Sequence, residues 1–297
     1  MKAILCTRYD SFDGLRIEEV KKPSIKENEL LIRIMASTVA SGDSVVRRAS
    51  NPFVKLVFGL SKPRNPILGT DLAGIVEAVG GKVTTFKVGD RVVASTGMKF
   101  GGHAEYIALD QTVAIAKIPE EQAFKDVVTL PFGGNAGLHY LNKMQKGSGK
   151  KLLLYGASGA VGSSTVQLAK IYGFHVTAVC GTGNMDLVRS LGADIVRDYT
   201  AVNWKEELGC FDHIFDAVGK TKKKQWLNHL NTNGSFYTIA KGFVKESPEN
   251  LRLLLSLAQE NELKPVIDKI YPMDQIVDAY KLVESGRKRG NVVLDFQ

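Results

Sequence analysis

The stretch from Lys151 to Asn184, KLLLYGASGAVGSSTVQLAKIYGFHVTAVCGTGN, narrows the folds open to this chain more than any other part of it. Lys151 to Tyr155 is a short apolar run of the kind buried in a parallel sheet, and it stops at Gly156-Ala157-Ser158-Gly159-Ala160-Val161-Gly162. From Ala160 onward Val161, Thr165, Leu168, Ala169 and Tyr172 recur at helical spacing, and a second apolar run, Phe174 to Cys180, follows. Strand, glycine turn, helix and strand in this order predict a parallel βαβ unit. The helix then starts with free N–H groups facing outward, an arrangement suited to the pyrophosphate of a dinucleotide.

The spacing departs from G-x-G-x-x-G, because Ala157 holds the first glycine position and Gly156 precedes it. Gly159 would let backbone approach phosphate, and Gly162 would let the helix approach the strand. A glycine pattern alone marks only a turn; the flanking strand and helix supply the context that the mechanism requires. The seven residues of this turn are therefore candidate cofactor contacts, together with Gly181, Thr182 and Asn184 after the second strand. An acid about 20 residues past the turn would hold an unphosphorylated ribose. None stands there, since Cys180 runs into Gly181-Thr182-Gly183-Asn184 and Asp186 comes after that loop. An acid would repel a 2′-phosphate, so the loop favours NADPH over NADH. It also lacks an arginine, which leaves Thr182, Asn184, backbone amides and Tyr199 as donors, or else a small polar loop of weak selectivity.

A chain of 297 residues, 44% hydrophobic, can hold two domains with ample cores. Its start is mixed and no long apolar run occurs, so neither a signal peptide nor a membrane span is expected, and a cytoplasmic location is. Cys6, Cys180 and Cys210 lack C-x-x-C spacing and read as reduced thiols. The net charge of +8 is dispersed apart from KTKKK at Lys220–Lys224 and RKR at Arg287–Arg289. The first run reads as a solvated helix start, and the second as positive potential near an anionic cofactor. With no basic surface interleaved with aromatics, a nucleic-acid partner is not expected.

Residues 1–118 look β-rich, with strand composition at Leu30–Ala36, Leu72–Val79, Arg91–Ala94 and Ala104–Ala108. Residues 119–270 alternate strands and helices in the manner of a doubly wound sheet, with later strands at Phe211–Ala217 and Ser235–Ala240. Ser247-Pro248-Glu249 is a capped helix start, and Leu251, Leu254, Leu255 and Ala258 share its inner face. Residues 271–297 read as a return to the first domain, with a helix carrying Ile276, Ala279, Tyr280 and Val283 and a last strand from Asn291.

Several motifs together resemble the medium-chain dehydrogenase/reductase superfamily, and within it the zinc-free quinone oxidoreductase-like branch. They are GASGAVG, PILGTDLAGIVEAVG at Pro66–Gly80, FKVGDRVV at Phe86–Val93, GGHAEY at Gly101–Tyr106, SLGAD at Ser190–Asp194 and FDHIFDAVG at Phe211–Gly219. The resemblance spans nearly the whole chain. It implies an α/β protein: a GroES-like β-rich N-terminal domain plus a Rossmann doubly wound parallel sheet. Zinc-dependent relatives carry a Cys in an early C-G-T-D-like segment and a His in G-H-E; here Val39-Ala-Ser-Gly-Asp43 offers no thiolate and Thr70 replaces the His. The five histidines show no spacing that would assemble the three or four ligands zinc needs, so no metal is expected.

The resemblance implies hydride transfer from NADPH to a small-molecule quinone or α,β-unsaturated carbonyl compound. It places Ser41, Asp43, Thr70 and Asn135 along the cleft, with Ser41 and Asn135 as candidate catalytic contacts and Asn291 as a further cofactor contact. Ser41 and Asp43 equally suit a turn that bonds its own backbone. Asn135 stands where relatives have Thr, His103 where Tyr is frequent, and Gly181 where the branch often has Ser. The link TIAKGFVKES after the Ser235 strand is too short for the additional strand of most relatives. The sheet is expected to be shortened by one edge strand, and the protein to be a monomer or an atypical homo-oligomer. That loss keeps a second reading open, an NADP(H)-binding redox sensor or interaction protein with little turnover.

Overall fold

The computed structural model describes residues 1–144, 149–242, 244 and 246–297. They form two compact units, one of residues 1–131, 246–255 and 267–297 and the other of residues 132–245 and 256–266. The chain opens with an antiparallel pair, β1 (Lys2–Cys6) and β2 (Leu15–Glu19). The long strand β3 (Glu29–Thr38) leads to helices α1 (Ser41–Arg48) and α2 (Pro52–Phe58). There follow β4 (Asp71–Val79), β5 (Arg91–Ser95), β6 (Tyr106–Asp110), β7 (Ala114–Lys117) and the short α3 (Phe124–Val127). On β3, Leu30, Ile32 and Ile34 point to one face and are buried against Leu72, Val76 and Val92, the period-two pattern of a strand with one face in a core.

The second unit begins in α4 (Leu130–Lys143), whose Gly133 and Gly137 face the next helix. It continues with β8 (Lys151–Tyr155), α5 (Ala160–Ile171), β9 (His175–Cys180), α6 (Met185–Ser190), β10 (Ile195–Asp198), β11 (Phe211–Asp216) and β12 (Leu230–Thr238). All five strands are parallel, in the order β10-β9-β8-β11-β12. Leu152, Leu153 and Leu154 are fully buried in the central strand, as a strand covered on both faces requires. The order reverses between β8 and β11, and the glycine turn leaves the carboxyl end of β8 at that point, where ligands bind in such sheets.

The sheet ends at β12. The described residues between Thr238 and Pro248 contain no strand, as the short link implies; Phe243 and Lys245 of that link lie outside the described residues. Phe211 pairs with Leu230 but His213 pairs with Ser235, so Asn231 to Gly234 bulge out of register. The Tyr140 hydroxyl lies 2.9 Å from the Thr238 carbonyl and 3.0 Å from that of Lys241, where the chain leaves the strand.

After α7 (Pro248–Gln259) come β13 (Ile267–Pro272), α8 (Ile276–Glu284) and β14 (Asn291–Asp295). The Ser247 hydroxyl accepts from the Asn250 N–H at 3.2 Å, the expected cap of α7. β13 and β14 join β3, β4, β5 and β7 in one seven-stranded sheet, with β6 also on β3. Ile276, Ala279, Tyr280 and Val283 are buried beneath α8.

Candidate dinucleotide site

The turn after β8 owes its shape to two glycines. Gly156 has φ +83°, a left-handed conformation, and a Cβ there would come 2.1 Å from Val218 Cγ2 in the loop after β11. A Cβ on Gly162 would lie 2.1 Å from the Gly156 carbonyl oxygen and 2.7 Å from Ala157 Cα, so only glycine lets α5 close onto the turn. The N–H groups of Gly156 and Ala157 both donate to the Val179 carbonyl, at 2.9 and 3.0 Å, which fixes the turn to β9.

Gly159 is different. It is the N-cap of α5, and a Cβ built on it would meet only the Gly156 oxygen, at 3.8 Å. No side chain caps α5 and no acid stands in its first turn. The first helical acceptor is the Gly159 carbonyl, taken by Ser163 N–H at 2.8 Å, so the N–H groups of Ala160, Val161 and Gly162 precede any intrahelical partner. Open space beside a bare helix start fits a pyrophosphate.

The loop after β9 comes beside this turn, because the Asn184 Nδ2 donates to the Ser158 hydroxyl at 3.1 Å. Tyr199 follows β10 with its ring over Gly181; its hydroxyl would be 3.4 Å from a Cβ there. Gly156 to Gly162, Gly181, Thr182, Asn184 and Tyr199 thus gather at the carboxyl ends of three adjacent strands. One participant escaped the sequence. Asp198, the last residue of β10, accepts the Thr182 hydroxyl through Oδ2 and the Thr200 N–H and hydroxyl through Oδ1, at 2.8 and 2.7 Å. These hydrogen bonds hold its exposed carboxyl below the ordinary range, and they commit the Thr182 proton. The D-x-T pattern of Asp198-Tyr199-Thr200 signals an Asx turn, but only the pairing of β10 with β9 brings it to Thr182.

The other candidates stand on other elements. Asn135 is fully buried within α4 in the second unit, where Gly133 lets that helix approach α5; a Cβ on Gly133 would be 2.6 Å from the Ala160 oxygen. Ser41 and Asn291 belong to the first unit, Ser41 exposed as the first residue of α1 and Asn291 buried as the first of β14. Asp43 is fully buried; its Oδ2 accepts from Ala40 N–H at 2.7 Å and its Oδ1 from Gly69 N–H at 3.1 Å. Burial pushes its carboxyl above the ordinary range, against the pull of His103 and the two N–H groups. His103 is buried too, its Nε2 3.0 Å from the Thr38 carbonyl, and burial pulls its pKa down. Both are parts of the scaffold. A cavity of about 380 Å³ in the first unit, lined by Val46, Phe58 and Phe100 among others, includes none of the candidate residues.

Known proteins agree with this architecture. The profile of the alcohol dehydrogenase GroES-like domain matches residues 26–120, and those of the zinc-binding dehydrogenases match residues 160–266 and 241–294. A 2-methylene-furan-3-one reductase of Solanum lycopersicum is 34% identical over 99% of this chain and 79% of its own length. A chloroplastic NADPH-dependent alkenal/one oxidoreductase of Arabidopsis thaliana is 30% identical over the same shares. The quinone oxidoreductase of Coxiella burnetii superposes with a TM-score of 0.91 over 100% of this chain and 99% of its own, at 24% identity, a likeness of fold. The chain belongs to the medium-chain dehydrogenase/reductase superfamily, and it is an oxidoreductase of that class.

Proposed function

We propose that this protein is a zinc-independent, NADPH-preferring reductase that delivers hydride to a quinone or to the β-carbon of an α,β-unsaturated carbonyl compound. The observation that carries the reading is the bare start of α5 beside an unobstructed Gly159, in a chain with an enone reductase and an alkenal/one oxidoreductase among its relatives. NADPH, when bound, supplies the hydride. The N–H groups of Ala160, Val161 and Gly162 hold the pyrophosphate, and the α5 dipole adds to their attraction. Asn184, oriented by Ser158, and the amides of the Gly181 loop serve the ribose end under the Tyr199 ring. Asp198 takes the Thr182 proton and brings a carboxylate to this loop that opposes a 2′-phosphate, so the preference for NADPH is modest. Asn291 is a further contact.

At the acceptor, the Ser41 hydroxyl and the Asn135 amide are the donors for negative charge developing on the carbonyl oxygen, and solvent returns the proton. Zinc independence is supported by Ala40 and Thr70, which offer no thiolate or imidazole. Among the described residues no three His, Cys, Asp or Glu side chains gather as a metal site. We read the protein as cytoplasmic, and as a monomer or an atypical homo-oligomer.

The test is a paired fluorescence titration of chelator-treated protein with NADPH and NADH, followed by oxidation assays on a quinone and enone panel. Tighter NADPH binding with turnover is expected. Asn135→Ala should then lower kcat by about tenfold or more with cofactor Kd unchanged. Failure to bind either cofactor would overturn the reading, and binding without turnover would favour the redox-sensor alternative.

A further inference from the structure

Helix α2 turns its apolar stripe outward. Phe53, Leu56 and Val57 stand at i, i+3 and i+4, the spacing of a helix face that normally packs inward, yet they are 66%, 64% and 40% exposed, and Leu60, just past the helix end, is 77% exposed. No residue of α2 is buried. The helix is nonetheless anchored: Asn51 caps it by accepting from Phe53 N–H at 2.9 Å, the Phe58 ring meets Phe100 edge-on at 5.6 Å, and the Tyr9 hydroxyl donates to the Gly59 carbonyl at 2.8 Å. The stripe is therefore a presented surface. Met98, 62% exposed, stands at the mouth of the cavity of about 380 Å³, which Val57 and Phe58 also line.

The charge along this segment has one sign. From Ser44 to Thr70 the sequence contains no Asp or Glu, and Arg48, Lys55, Lys62 and Arg64 are all exposed, as is Lys99 beside Met98. A second copy seated symmetrically on this face would set these cations against their own kind. An apolar stripe rimmed by cations, with an apolar cavity at its edge able to take a hydrocarbon tail, fits a lipid surface of negative charge. We propose that α2 and Met98 form a docking face for an anionic bilayer. Phe53, Leu56 and Leu60 enter the acyl boundary while Lys55, Lys62, Arg64 and Lys99 meet headgroup phosphates. This is peripheral contact, since no helix among the described residues is long and apolar enough to cross a membrane. It stands independently of the hydride-transfer reading.

Flotation of the full chain with vesicles of mixed phosphatidylglycerol and phosphatidylcholine, against phosphatidylcholine alone, tests the proposal. Binding to the mixed vesicles should be at least about tenfold stronger and should weaken as salt is raised. The pairs Phe53→Ser with Leu56→Ser, and Lys55→Glu with Lys62→Glu, should each reduce it by about tenfold or more, with Tm and NADPH affinity unchanged. Absence of binding by the native chain would overturn the proposal, as would binding that neither pair alters. Self-association abolished by the Phe53 and Leu56 pair, without vesicle binding, would overturn it in favour of a second copy.

Discussion

Two helices of this molecule start in opposite ways. At α1 the first turn carries its own acid, Asp43, whose buried carboxyl accepts from the Ala40 N–H before the helix and from Gly69 N–H. At α5 the first turn is left bare, with a glycine at the N-cap, no side-chain cap and no acid in the first turn. Both helices need acceptors for their leading N–H groups. The positive end of α1 already carries a buried carboxylate tied to the scaffold, whereas that of α5 carries none and suits a bound anion.

The largest effect should come from removing the close approach that frames the bare start. Gly162→Val drives a Cβ into the Gly156 carbonyl, so urea denaturation should show a loss of about 3 kcal/mol or more, with cofactor binding lost as well. Gly159→Asp then gives α5 a carboxylate like that of α1. The position is open and extended, and Asp is a good N-cap, so Tm should hold or rise. NADPH affinity should fall by about 100-fold, or about 2.7 kcal/mol, as the carboxylate meets pyrophosphate; unchanged affinity would dissolve the contrast between the two helices. The reciprocal change, Asp43→Asn, puts an amide NH2 against a backbone N–H and should cost about 1–3 kcal/mol of stability while leaving the NADPH Kd as it was. The smallest effect is expected at the far end of the cofactor. Gly181→Ser adds a hydroxyl beneath Tyr199, where a Cβ finds its nearest neighbour at 3.4 Å, and should tighten NADPH over NADH by about threefold to tenfold in paired titrations.

The features visible in the sequence were those with local causes. Lys151–Tyr155, the Ala160 helix start, the Ser247 cap and the inner face of α8 all follow from patterns within a few residues, and each stands where its pattern puts it. The role of Asp198 was hidden because it depends on which strand lies beside β9. The Lys220 run was expected to start a helix, but only two tight turns, Lys223–Gln225 and Leu227–His229, form. Asp216 takes both the N–H and the hydroxyl of Thr221, at 2.6 and 2.8 Å, and ties this stretch to the end of β11. β12 begins at Leu230, ahead of the expected Ser235, because the Asn-Thr-Asn-Gly segment that reads as a turn is a bulge inside the strand. β6 begins at Tyr106, since Ala104 meets Ala3 only in an isolated bridge. The glycine turn and its loop were legible as a candidate site, whereas the contacts assigned to Ser41, Asn135 and Asn291 came from resemblance alone, because no local pattern brings residues so distant in sequence together.

The end of the second sheet at β12 has a practical consequence. Among the described residues that strand pairs within the sheet only with β11, so its 9 residues form the sheet's margin, where the Thr238 carbonyl is already met by the Tyr140 hydroxyl. The bulge from Asn231 to Gly234 interrupts the row and leaves Ser235 to Thr238 as its regular part. A row that short is a poor template for fibrils. This margin is where the protein can be lengthened by splicing in a β-segment, giving protein engineers an attachment point that leaves the five existing strands uncut.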